Sequence, residues 1–150
     1  MICAAPRCKH RASVRVEGGD LCVPHADRLG DDLARAVVLD RDGNRCQRCG
    51  DLRVPAEWAH VLARRVAPFL RRDPDNALAL CSLCHRRFTA RPNEFRDWLD
   101  RERPGLREDL LARELRAERS PFAPEIADVI ASLREMLGYA PPATQSSLGI

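Results

Sequence analysis

The chain has 150 residues, 45% of them hydrophobic and only 5% aromatic, and its 25 basic and 22 acidic side chains leave a net charge of +3. That length fits one modest domain with appendages, and so few aromatics leave little bulk for a large core, so staples of metal or disulfide are expected. No apolar run reaches the roughly 18 residues of a membrane span, and the opening MICAAPRCKH lacks the apolar stretch of a secretory signal. The expectation is a cytoplasmic protein with no membrane partner, where reduced thiols favour metal over disulfide.

The first element is a cysteine cluster. Cys3 and Cys8 are followed, after thirteen residues, by Cys22-Val-Pro-His25. Three cysteines and one histidine make a complete structural zinc set, although His10 is an alternative ligand. The intervening residues 11–21 read as a small hairpin turning at Gly18-Gly19. Residues 1–30 are thus expected to form a zinc module. Arg7, Lys9, Arg11 and Arg15 in it can touch phosphates or simply be solvated. Asp31-Asp32-Leu33 to Leu39 predicts an N-capped linking helix.

A second cluster brackets the middle of the chain. Cys46-Gln-Arg-Cys49 and Cys81-Ser-Leu-Cys84 lie 31 residues apart. Two such knuckles complete a site of four thiolates with no open position, which holds a fold and performs no chemistry. Gly50 stands where the first knuckle needs a left-handed backbone. Between the pairs, Glu57 to Leu62 predicts a half-buried strand ending near His60, and Ala77 to Leu80 predicts a second. An arginine-rich loop with Pro68 and Pro74 joins them, and His85-Arg86-Arg87-Phe88 opens a helix.

From Val61 to Arg91 seven arginines (64, 65, 71, 72, 86, 87 and 91) face only Asp73 and Asp75, a local charge of +5. From Pro92 onward the balance is −3. A polyanion such as DNA finds its complement in the middle, with Arg64, Arg65, Arg71, Arg72, Arg86 and Arg87 as candidate contacts. Lys9 is the only lysine among the basic residues, so a base-composition bias toward arginine explains part of this pattern.

Beyond the second knuckle, Glu94 to Glu102 predicts a helix burying Phe95, Trp98 and Leu99. Leu106, Leu110, Leu111 and Leu115 mark one amphipathic helix, and Ile126, Val129, Ile130, Leu133 and Leu137 another. Together they suggest an antiparallel hairpin over 104–140 that covers the core, pairs with a second copy as a homodimer, or binds a partner. The Pro/Ser/Thr/Gln-rich stretch 141–150 is expected to be disordered.

RCQRCG (45–50), AHVLAR (59–64), DPDNALALC (73–81) and CSLCHRRF (81–88) together resemble the HNH endonuclease family, over about 50 to 60 residues. AH before the loop and DPDN before the second knuckle look most like a phage-associated recombination branch. The resemblance implies a small, zinc-stabilised α+β fold: a ββα-metal core over 31–103, with the N-terminal zinc module ahead of it and the helices behind. It implies a metal-dependent endonuclease that hydrolyses DNA phosphodiester bonds, with structural Zn²⁺ and a catalytic Mg²⁺ or other divalent ion.

In that scheme His60, Asn76 and His85 form the catalytic centre. A histidine titrating near neutrality suits His60 as general base, and His85 serves as a ligand to the catalytic ion. Asn76 either ligates that ion or orients His60. Many family members carry Asp or His immediately before the base, but here the position is Ala59. Glu57, two residues earlier and on the same strand face, is the substitute ligand of choice, ahead of Asp73 and Asp75. Ala59 also admits another reading, a catalytically inactive zinc-containing module that binds nucleic acid or protein.

Overall fold

An antiparallel hairpin of two five-residue strands, β1 (Ala56–His60) and β2 (Ala77–Cys81), sits at the centre of the molecule. The computed structural model describes residues 1–139, so the stretch expected to be disordered, 141–150, lies outside the described residues. Within them the fold is small α+β, with five α-helices and the one two-stranded sheet. The helices are α1 (Val23–Arg41), α2 (Ser82–Ala90), α3 (Pro92–Glu102), α4 (Leu106–Arg119) and α5 (Ile126–Met136). None of them is long and apolar enough to cross a membrane.

Pairing runs from Ala56 opposite Cys81 to His60 opposite Ala77. Because side chains alternate along a strand, Glu57, Ala59, Leu78 and Leu80 share one face, and Ala56, Trp58, His60, Ala77, Ala79 and Cys81 share the other. The first face joins Cys84 and Phe88 of α2 and Leu99 of α3 in the main core. Phe88, Phe95 and Trp98 stack there with ring centroids 4.7 to 6.3 Å apart. The second face meets α1, and three of its six side chains are alanine, which lets the helix lie close. β2 is buried along its whole length, as expected of a strand covered on both sides.

Helix α1 begins earlier than the sequence suggested. Cys22, in extended conformation, is its N-cap and Pro24 lies in its first turn, so Asp31 and Asp32 fall in the middle of a continuous 19-residue helix rather than at a start. Gly30 serves packing, in the buried stripe Ala26, Gly30, Ala34, Val38, where a Cβ would stand 2.9 Å from both Arg72 Nε and Ile126 Cδ1. The far end of α1 is tied to the hairpin: Arg41 donates to the carbonyls of Pro74 and Ala77, and Asp42 accepts from the Ala79 N–H.

The segment ahead of α1 turns at Gly18-Gly19, both at positive φ, with antiparallel bridges Val14–Leu21 and Ile2–Arg11. At the other end, α4 and α5 form as expected, yet they do not pair as a hairpin over 104–140. α4 packs on the 3-10 turn Pro68–Leu70, burying Leu110 and Glu114 and leaving Leu111 and Leu115 exposed. α5 packs on α1 through Ile130 and Leu133. The reason is local: the apolar alternatives were the interstrand loop for one helix and the small-residue stripe of α1 for the other. Each helix thus covers the core from a different side.

Candidate metal clusters and the histidine face

Two groups of side chains converge tightly enough to hold a metal ion. Cys46, Cys49, Cys81 and Cys84 place their sulfurs within 4.8 Å of one another, and so do the ligand atoms of Cys3, Cys8, Cys22 and His25. Thiolates sharing a zinc at about 2.3 Å stand roughly 3.8 Å apart in a tetrahedron. The separations Cys49–Cys81, 3.8 Å, and Cys8–Cys22, 3.9 Å, have that length. All seven cysteines are free thiols, so no disulfide competes. His25 Nδ1 approaches Cys22 Sγ to 3.1 Å and Cys3 Sγ to 3.6 Å, while His10 reaches only Cys8, at 3.7 Å. His25 therefore completes the N-terminal set in preference to His10. Both clusters can hold zinc.

The first knuckle closes with Gly50 at φ +76°, its N–H donating to the Cys46 carbonyl. Burial pushes the Cys46 thiol up, but backbone N–H groups of Cys49, Cys81 and Arg48 outweigh it and bring it down to about 7. Cys84 is pushed the other way, up to about 12, by burial. Arg48 opposes that shift. Its guanidinium lies 3.5 Å from Cys84 Sγ, over the Phe88 ring and beside Glu94. A cation there offsets the negative charge that four thiolates bring to a metal.

The residues expected to form a catalytic centre are distributed differently. His60 ends β1 on the α1 face, with its ring 4.4 Å from that of Trp58. Its Nε2 lies 2.9 Å from the carbonyl of Arg71. A carbonyl only accepts, so Nε2 carries the hydrogen and Nδ1 keeps its lone pair. Burial lowers the His60 pKa, with Arg64 and Arg71 adding to that effect against the Arg71 hydrogen bond and Asp31. The neutral ring, with Nδ1 as acceptor, is the favoured form.

His85, in the first turns of α2, meets Glu57 instead: His85 Nδ1 stands 2.6 Å from Glu57 Oε2. Both side chains are partly exposed, and Glu57 shares its strand face with Ala59. A histidine that donates Nδ1–H to a carboxylate presents Nε2 to a metal. The two side chains can equally act as joint ligands. His60 and Glu57 thus point from opposite faces of β1, and among the described residues the His/Glu pair is not part of a third converging metal cluster. Asp73 and Asp75 are engaged elsewhere, both with Arg113 of α4.

Asn76 is fully buried and its amide is consumed by backbone. Its Oδ1 accepts from the Leu62 N–H at 2.8 Å, and its Nδ2 donates to the carbonyls of Leu62, 3.1 Å, and Leu70, 3.2 Å. Its amide hydrogen-bonds to neither histidine. It clamps the two ends of the interstrand loop, a role that differs from both expected ones.

The six candidate arginines divide. Arg71 and Arg72 both pair with Asp31 of α1, and Arg72 also with Asp27. Arg87 pairs with Glu94. Arg64 lies over the Trp58 ring at 5.4 Å. Arg64, Arg65 and Arg86 have no ion-pair partner among the described residues, and Arg65 and Arg86, which lie over no ring either, are the freest to meet a phosphate. Asp27, Asp42 and Arg48 escaped the sequence reading, and Asp31 was read there only as a helix cap. Their partners are up to 45 residues away, and no short-range pattern marks them. The chain matches no family model, no curated protein and no solved structure.

Proposed function

We propose that the protein is a metal-dependent endonuclease of HNH type, hydrolysing DNA phosphodiester bonds with His60 as general base. The observation that carries this reading is the state of His60: a half-buried imidazole, held by a backbone carbonyl through Nε2, with Nδ1 left as the proton acceptor. In-line attack on a phosphodiester needs a water deprotonated near neutral pH, and a histidine prepared in this way performs that step. The strand–loop–strand–helix order, with a four-cysteine cluster tying its ends, is the arrangement that the sequence resemblance implies.

Glu57 and His85 would hold the divalent ion. Two protein donors suit a small hard cation that keeps several waters, and Asn76 supplies none, its amide oxygen being occupied. Such an ion would polarise the scissile phosphate and stabilise the departing 3′ oxygen. The residues of the chain bind and orient around it. His60 takes the proton from water at Nδ1, Arg71 fixes the ring through its carbonyl, and Arg65 and Arg86 meet backbone phosphates. A phosphodiester serving both faces of β1 would lie across the edge of that strand. The test is plasmid nicking with Mg²⁺ or Mn²⁺. Wild type should nick and His60→Ala should not; absence of metal-dependent nicking, or equal nicking by both, overturns the reading.

A second reading is favoured by one observation. His60 and the Glu57–His85 pair occupy opposite faces of the hairpin, and no third metal cluster converges among the described residues. A zinc-containing module that binds nucleic acid or a protein partner without cleaving would carry the same scaffold. Salt-dependent DNA binding without nicking is its signature.

A further inference from the structure

We propose that Asp31, in the middle of α1, is a positioning residue for His60, acting through two successive arginines of the interstrand loop. The proposal rests on the nuclease reading for its functional meaning, but its structural content stands apart from that reading. Both carboxylate oxygens of Asp31 are used: Oδ2 on Arg71 Nη2 and Oδ1 on Arg72 Nε, the latter at 3.0 Å. Arg72 also reaches the carboxylate and the carbonyl of Asp27 one turn earlier. Two successive side chains are therefore bolted to α1, and the carbonyl that accepts from His60 belongs to the first of them.

The backbone on either side of that carbonyl is also fixed. The Leu70 carbonyl accepts from Asn76 Nδ2 and from the Asp73 N–H, while the Arg72 side chain fills the space that Gly30 leaves open. The peptide plane at Arg71 is held between the Asn76 clamp and the Asp31 clamp. Of the two, only Asp31 comes from outside the hairpin and its loop. It connects the orientation of His60 to the helix whose first turn carries Cys22 and His25 of the N-terminal metal cluster. A histidine whose ring hydrogen is held by a carbonyl loses its aim if that carbonyl swings. Outer partners that orient a metal-bound histidine alter activity about 10- to 100-fold when removed, and an outer partner of a catalytic histidine is expected to act on that scale.

The experiment uses the full chain loaded with zinc. Long-range ¹H–¹⁵N spectra observe the His60 Nε2–H, which a hydrogen bond protects from exchange with water, and a pH titration follows the ring. The charged groups facing it are Arg64 and Arg71 from the loop and Asp31 from α1. In wild type the Nε2–H resonance is expected to be visible. In Asp31→Ala it should vanish into exchange, with the His60 pKa falling below that of wild type because the Asp31 carboxylate that raises it is gone. Asp31→Glu should restore the resonance in part, and Asp27→Ala, which touches Arg72 alone, should keep it. Should Asp31→Ala fail to fold, Asp31→Asn carries the same expectations. A His60 resonance and titration unchanged in Asp31→Ala, or in Asp31→Asn where that variant is used, overturns the proposal. On the nuclease reading, Asp31→Ala also nicks at least about tenfold more slowly, with a displaced pH profile. If wild type does not nick while the spectra behave as stated, the nuclease reading fails and the clamp remains.

Discussion

Replacing Asn76 by Asp separates two roles that a sequence alone leaves together. The side chains are nearly the same size, and a carboxylate is the better metal ligand, so a ligating Asn76 would accept the change with metal affinity kept or raised. The structure gives Asn76 another task. Asp keeps the acceptor for the Leu62 N–H, but it loses both donors, at 3.1 and 3.2 Å from the carbonyls of Leu62 and Leu70. Those carbonyls then face a carboxylate in a site with no solvent exposure. The Leu70 carbonyl keeps the Asp73 N–H, so the Leu62 carbonyl is the one left without a partner, and leaving a buried polar group so costs about 1–3 kcal/mol. With a urea m-value of about 2 kcal/mol/M, the midpoint should fall by about 0.5–1.5 M. Urea unfolding at fixed free zinc, followed by tryptophan fluorescence, measures it. A midpoint within experimental scatter of wild type, with divalent-ion affinity retained, refutes the clamp and restores the ligand role.

Native mass spectrometry should find two zinc ions per chain; Cys84→Ser should lose one and unpack α2, whereas Cys8→Ser should lose the other and leave the aromatic core intact. Because burial depresses the His60 pKa below its ordinary 6.5, its contribution to stability is present above that value and is lost as pH falls through the folded pKa. The stability difference between wild type and His60→Gln should accordingly be flat above pH 6.5 and change only in more acid solution, as read by urea titrations at several pH values. The acid limb of any nicking activity should likewise lie below 6.5. Gly30→Ala gains about 1 kcal/mol of helix propensity but drives a methyl group into Arg72 and Ile126, so thermal melts should show net destabilisation of about 1–2 kcal/mol. Arg65→Ala and Arg86→Ala should each reduce the salt dependence of DNA binding by about one phosphate contact; Arg72→Ala should lower stability more than it alters that slope.

What the sequence made legible was whatever is encoded within a few residues. The CxxC spacing located one cluster, the Cys-Val-Pro-His turn completed another, and period-two patterning found both strands to within a residue or two. The start of α1 was misplaced because Asp31-Asp32 has the chemistry of a cap; the true partners of Asp31, Arg71 and Arg72, are distant in the chain. The same distance hid the difference between arginines facing solvent and arginines turned inward. Alternation along β1 already implies that His60 and Glu57 point apart. The adjacency of His60, Asn76 and His85 in the motif suggested convergence, yet the register shows each with its own neighbours.

The placement of α1 between the two cysteine clusters has a consequence for assembly during synthesis. All four N-terminal ligands are complete once His25 has been made, so that module can take up its metal and nucleate the helix that starts on Cys22. The second cluster must wait for Cys84, since β1 has no partner until β2 exists. In the interval α1 presents a bare stripe of Ala26, Gly30, Ala34 and Val38, together with the Asp27 and Asp31 carboxylates. The arginines that meet those carboxylates emerge before β2, and the electrostatic attraction can recruit the loop to the helix first. Metal uptake by this chain would then be ordered in time, with scarcity of zinc during translation felt most by the later site.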